Sequence, residues 1–243
     1  MKRTFLLVLF ACVVCCCIAQ KMVTIPYNAT SIPDNYRNSN PDYVLYPASL
    51  EGKDSIEMTC DLTNSSCIEA VDLGLSVKWA TCNVGAGNPK GKGKYFAWGE
   101  ICPKSKYASD TYKLHYKYHP NFDDHTELEA CDDVATDFWG EGWRLPTKEE
   151  FEELLNLCSW VWDNVSSGYK IYGPNGNSIF LPAAGFRYED RWIALDEEGV
   201  YWSKTLNQHK PVNAMALRTH GNVIKEIKGC QKVLGLSIRP VYP

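Results

Sequence analysis

Residues 143–158 read Trp143-Arg-Leu-Pro-Thr-Lys-Glu-Glu-Phe-Glu-Glu-Leu-Leu-Asn-Leu-Cys158, and the rest of the chain can be placed around them. Thr147 with Glu150 three residues later is a capping box. The hydroxyl accepts from the third helical N–H, and the carboxylate returns to the cap's own N–H, so two orphan donors are satisfied together. Pro146 immediately precedes the cap. Phe151, Leu154, Leu155 and Cys158 then recur at i, i+3, i+4 and i+7. That is one apolar stripe on a helix about three turns long.

Upstream, Asp132 or Asp133 opens a second, shorter helix that ends at Gly140. Downstream of Trp162 the pattern turns to strands. Residues 169–172 and 178–181 flank Gly-Pro-Asn-Gly-Asn, a hairpin turn centred on Asn175-Gly176. Residues 200–203, 212–218 and 236–241 complete a strand-rich C-terminal half. On the N-terminal side, residues 71–75 and 77–82 read as strands punctuated by Gly74 and Gly85. Residues 95–98 look buried. Two helices embedded in antiparallel strands make an α+β domain, which we place at 69–243. Within it, residues 103–130 form a long polar insertion with Tyr107, Tyr112, Tyr116 and Tyr118 among lysines. A loop of that length is normally functional or poorly ordered.

The chain has 243 residues, room for one large domain plus an appendage. Its formal net charge of -4 leaves no basic excess to neutralise phosphates, which argues against nucleic acid as a partner. Lys2 and Arg3 precede an unbroken apolar run over residues 5–19, shorter than the ~20 residues a spanning helix needs. We read 1–19 as a signal peptide cut before Gln20. The rival reading is a lipoprotein signal acylated at Cys12. Residues 20–68 carry Pro26, Pro33, Pro41 and Pro47 and few large aliphatics, so we expect an extended arm rather than a core.

Cys60, Cys67, Cys82, Cys102, Cys131, Cys158 and Cys230 remain after the leader, an odd set. Export permits disulfides, with a small loop between Cys60 and Cys67 and a bridge between Cys102 and Cys131 as candidates. No close cysteine pair suits zinc. His115, His119 and His125, with Asp123 and Asp124 nearby, are the best metal candidates, although exposed loop histidines are common without a metal. The acidic pairs Glu149/Glu150, Glu152/Glu153 and Glu189/Asp190 read as solvated charge. No nucleophile elbow, zincin motif or phosphate-cradling loop occurs, and no cofactor is expected. Asn28, Asn64 and Asn164 each open a glycan-acceptor triplet.

Six blocks carry a resemblance. They are Glu69-Ala-Val-Asp-Leu-Gly-Leu-Ser-Val-Lys-Trp-Ala-Thr-Cys-Asn-Val-Gly85, Tyr95-Phe-Ala-Trp-Gly-Glu100, Trp143-Arg-Leu-Pro-Thr147, Asn177-Ser-Ile-Phe-Leu-Pro-Ala-Ala-Gly-Phe-Arg187, Tyr201-Trp-Ser203 and Ser237-Ile-Arg-Pro-Val241. Over 69–241 the chain resembles the major-paralogous (FISUMP) domain of secreted and surface proteins from Bacteroidetes-type bacteria. The resemblance implies a C-type lectin-like fold, shared with formylglycine-generating enzymes and with retroelement-diversified receptor-binding proteins. The paired-cysteine copper site of the former and the calcium motifs of sugar-binding lectins have no counterpart here.

The expectation is an exported, non-enzymatic surface or secreted protein that displays ligand-binding loops. A protein or glycan at the cell exterior is the expected partner. The alternatives are an enzyme on the same fold, hydrolytic or formylglycine-generating-like oxidative, a retroelement-diversified receptor-binding protein, and a purely structural envelope component. The candidate ligand-facing residues are Arg187, Tyr188, Arg191, Trp192, Lys204, Asn207, His209 and His220, all placed in or beside loops between strands. Trp143, Arg144, Thr147 and Glu150 are assigned structural roles.

Overall fold

The capping box forms as written in the sequence. In this computed structural model, Thr147 Oγ1 accepts from Glu150 N at 3.2 Å, and Glu150 Oε2 accepts from Thr147 N at 2.8 Å. The same Glu150 carboxylate takes both arms of Arg144, at 2.8 and 2.5 Å. The structure describes residues 68–115, 117–119 and 124–243. The signal peptide, the arm up to residue 67, the Cys60–Cys67 loop, Asp123 and the acceptor triplets at Asn28 and Asn64 lie outside these residues.

The capped helix spans Lys148–Leu157, with Phe151 and Leu154 fully buried. The shorter helix spans Val134–Trp139 and is capped by Asp133. We label them α2 and α1. Asp133 accepts from Ala135 N and Thr136 N with one oxygen and from Leu145 N, at 2.7 Å, with the other. One buried carboxylate therefore fixes the start of α1 and the approach to α2. Burial pushes its pKa up to about 6.

The strands form four small antiparallel sheets, which makes the domain α+β. β2 (Lys78–Ala80) pairs with β1 (Ala70–Val71) on one side and with β11 (Val241–Tyr242) on the other, which brings the domain's two ends together. β3 (Ser159–Asp163), β4 (Gly168–Tyr172) and β5 (Ser178–Pro182) form a meander. β6 (Phe186–Tyr188) and β7 (Arg191–Ile193) form a short hairpin. β8 (Glu198–Leu206), β9 (Asn213–His220) and β10 (Ile224–Gln231) form the longest sheet.

β8 supplies both halves of the core. Successive strand residues point to opposite faces, so Tyr201 and Trp202 part ways. Trp202 joins Phe96, Trp98, Leu236 and Ile238, while Tyr201 joins Trp79, Phe151, Leu154 and Leu217. The blocks that carry the family resemblance meet here. Trp98 Nε1 donates to Ser203 O, and Trp202 Nε1 donates to Phe96 O, both at 2.8 Å. Arg239 is fully buried and donates to Asn83 Oδ1 and to the carbonyls of Ala80, Thr81 and Phe180. Burial with no carboxylate among these acceptors lowers its pKa to about 10.

Several expectations change. The strands expected at 71–75 and 77–82 shrink to β1 and β2, because Asp72 turns the chain by accepting from Gly74 N at 2.7 Å. β3, β6, β7 and β10 were not anticipated. The helical stripe expected to run through Cys158 stops at Leu157, where the chain goes extended into β3. Cys102 and Cys131 form no bridge with each other. Lys117 Nζ instead lies 3.7 Å from Cys131 Sγ.

Candidate functional site

Four of the eight expected ligand-facing residues, Arg187, Tyr188, Arg191 and Trp192, sit on the β6–β7 hairpin rather than in a loop. Only Glu189 and Asp190 form its turn, in register between Tyr188 and Arg191. Main-chain bonds hold the hairpin on two sides. Arg187 and Gly235 exchange bonds of 2.7 and 2.9 Å, and Tyr107 and Glu189 exchange two of 2.8 Å. The insertion at 103–130 thus folds back and pins the hairpin tip.

Arg187 is a clamp within this arrangement. Its guanidinium lies 4.2 Å from the Trp192 ring centroid and 5.5 Å from that of Tyr107. It also donates to Ser105 O and Asp190 O, at 2.9 and 3.1 Å. Beneath it, Tyr107 Oη donates to Tyr95 O, and Tyr95 Oη donates to Ala184 O. Burial pushes both phenols up to about 12, so they stay neutral donors across the physiological range. Lys104 packs over Tyr107 and pairs with the buried Glu100 at 2.7 Å.

Above this floor Trp192 is 56% exposed and Tyr188 47% exposed, with Arg191 open beside them. These groups can bury planar apolar area and donate hydrogen bonds to a partner. None of them is a nucleophile held by a base.

The other four residues lie elsewhere. Lys204 is part of β8, where its N–H donates to Pro146 O and its ammonium pairs with Glu127 at 3.1 Å. Asn207 turns the β8–β9 connection by accepting from His209 N and Lys210 N, both at 3.1 Å. His220 sits opposite Glu198 at the far end of the same strand pair, 3.2 Å from a carboxylate that Arg218 also holds. An extended strand as long as β8 separates those ends by about 25 Å. One expected face is therefore three separate places, because a long hairpin carries its turn and its open end to opposite sides.

The three histidines do not converge on one point. His115 Nε2 is 2.7 Å from Ser109 O, and the ring stacks edge-on to Tyr112. His119 is buried, and His125 faces Glu129 at 3.4 Å. Burial lowers the pKa of both His115 and His119. Glu129, Cys131 and Asp132 are the described groups close enough to share an ion, but Lys117 already pairs with both carboxylates there, at 2.7 and 2.5 Å.

Sequence reading missed a second surface feature. Trp160 and Trp162 of β3 line an open cavity of about 530 Å³ with Asn164, Gly221 and Asn222. The alternation Trp-Val-Trp could have placed both indoles on one face of a strand, had the helical stripe not been carried through Cys158. Comparison with protein-family models, curated proteins and solved structures finds no match to this chain.

Proposed function

We propose that this is an exported, non-enzymatic binding protein whose domain is a FISUMP-type, C-type lectin-like ligand-display scaffold. The single observation that carries the reading is the β6–β7 hairpin. A Trp more than half exposed is held rigid by a guanidinium 4.2 Å from its ring, above neutral, hydrogen-bonded tyrosines. Pre-ordered aromatic side chains bury much area on contact while losing little side-chain entropy, which makes them effective binding anchors.

The six resemblance blocks support the scaffold half of the proposal. Trp98, Trp202 and Arg239, from the blocks that meet in the core, donate to core carbonyls and to Asn83, leaving recognition to the hairpin. Export rests on the leader, with acylation at Cys12 the alternative to release. The test is N-terminal sequencing of envelope and medium fractions, followed by a glycan and protein array probed with the exported form. A chain starting at Gln20 that selects a ligand supports the reading. Intact Met1 on cytosolic protein contradicts it.

A further inference from the structure

β3 places Trp160 and Trp162 two residues apart, on one face of the strand. Buried Tyr169, across the ladder, meets both indoles edge-on, with centroids 5.3 and 5.1 Å away and planes at 76° and 74°. The polar edges of all three rings are tied down. Trp160 Nε1 donates to Leu154 O at 3.1 Å, Trp162 Nε1 to Asn164 Oδ1 at 2.8 Å, and Tyr169 Oη to Gly221 O at 2.5 Å. The indoles are thus ordered before any ligand arrives, which lowers the entropic cost of binding.

The β9–β10 turn forms the opposite wall. Gly221 and Asn222 face the indoles across the open cavity of about 530 Å³, within the ~300–1,000 Å³ range of small-ligand sites. Asn164 and Asn222, both exposed, contribute their amides to the lining. Lys225 holds its ammonium 5.5 Å from the Trp160 centroid and 5.4 Å from that of Tyr169.

We propose that this groove binds a saccharide, with a pyranose ring lying on the indoles and its hydroxyls meeting the amides of Asn164 and Asn222. The chemistry selects that class. A pyranose has an apolar C–H face that matches an indole, and a rim of hydroxyls that both donate and accept, as a side-chain amide does. An acyl chain would satisfy neither the Asn222 amide nor the NH2 of Asn164, whose oxygen already accepts from Trp162, at a desolvation cost. The site stands apart from the β6–β7 hairpin and does not depend on it.

The test titrates the purified protein with oligosaccharides of glucose, mannose, galactose, N-acetylglucosamine and uronic acids, read by tryptophan fluorescence and calorimetry. At least one should saturate with a Kd of about 1 mM or tighter. Trp162→Ala should weaken that binding about tenfold or more. Asn222→Ala should weaken it about threefold with an unchanged thermal midpoint, and its exposed position keeps the test usable should the indole prove necessary for folding. Arg191→Ala with Trp192→Ala should leave it unchanged, which separates this site from the hairpin. The proposal is overturned if no saccharide saturates below about 10 mM, or if folded Trp162→Ala and Asn222→Ala both bind as the parent does.

Discussion

Lys232 carries its ammonium into the core at 3% exposure, and Nζ has no hydrogen-bond partner among the described residues. Its compensation is the face of Trp98, 5.5 Å away. Arg239, equally buried, shows the other solution by giving its donors to carbonyls and an amide. Burial lowers the Lys232 pKa to about 8. An unfolded lysine titrates near 10.4, so between those values the unfolded state holds more protons than the folded one. Stability should therefore rise with pH through this window, by about 3 kcal/mol at most. Lys232→Met should remove that rise and be more stable than the parent at pH 7. Denaturant midpoints of the two proteins at pH 7 and pH 10 check both points, and a parent as stable as the variant at pH 7, or a deficit no smaller at pH 10 than at pH 7, would contradict them. Neither Lys232 nor the clamp role of Arg187 was legible in the sequence. Residue type announces a cation, but only the fold decides whether it meets water, a ring or a carbonyl.

At the level of elements, local chemistry was readable and distant pairing was not. The α2 cap lies within four residues, Asp133 and Gly140 bracket α1, and the Asn175-Gly176 turn sits between strands that pair as expected. β10 carries Lys225, Glu226 and Lys228 on an edge strand, so its polar pattern hid it. The β6–β7 turn is Glu189-Asp190, with Glu189 at φ 51° and no glycine to signal the bend. The cap is also the place for a graded test. Thr147→Ala should cost about 1 kcal/mol, and Leu154→Ala, fully buried, ~2–5 kcal/mol. Glu150→Ala should exceed Thr147→Ala, because it removes both the return bond of the capping box and the paired contacts to Arg144. Equilibrium unfolding gives the order, and a Thr147 change costlier than Leu154 would mean that α2 does not bury its stripe.

Across the whole molecule, β8 is the organising strand. Its two faces feed both halves of the core, and its two ends separate surfaces that the sequence had run together. The residue types expected at a binding face were readable as Tyr, Trp and Arg. Their grouping was not, because it depends on Gly235 and Tyr107 holding one short hairpin from opposite sides. Protein or glycan recognition is proposed on the hairpin, apart from the saccharide groove at Trp160 and Trp162, with none at the β8–β9 turn and no need for calcium. The decisive measurement takes an array-selected ligand whose binding Trp162→Ala leaves intact and compares its affinity for three proteins: the parent, Arg191→Ala with Trp192→Ala, and Lys204→Ala with His209→Ala. All three must be shown folded by their unfolding midpoints. The hairpin pair should lose about tenfold or more, the turn pair should stay within about twofold, and a chelator should change nothing. Equal binding by all three, loss confined to the turn pair, or binding abolished by the chelator would contradict it.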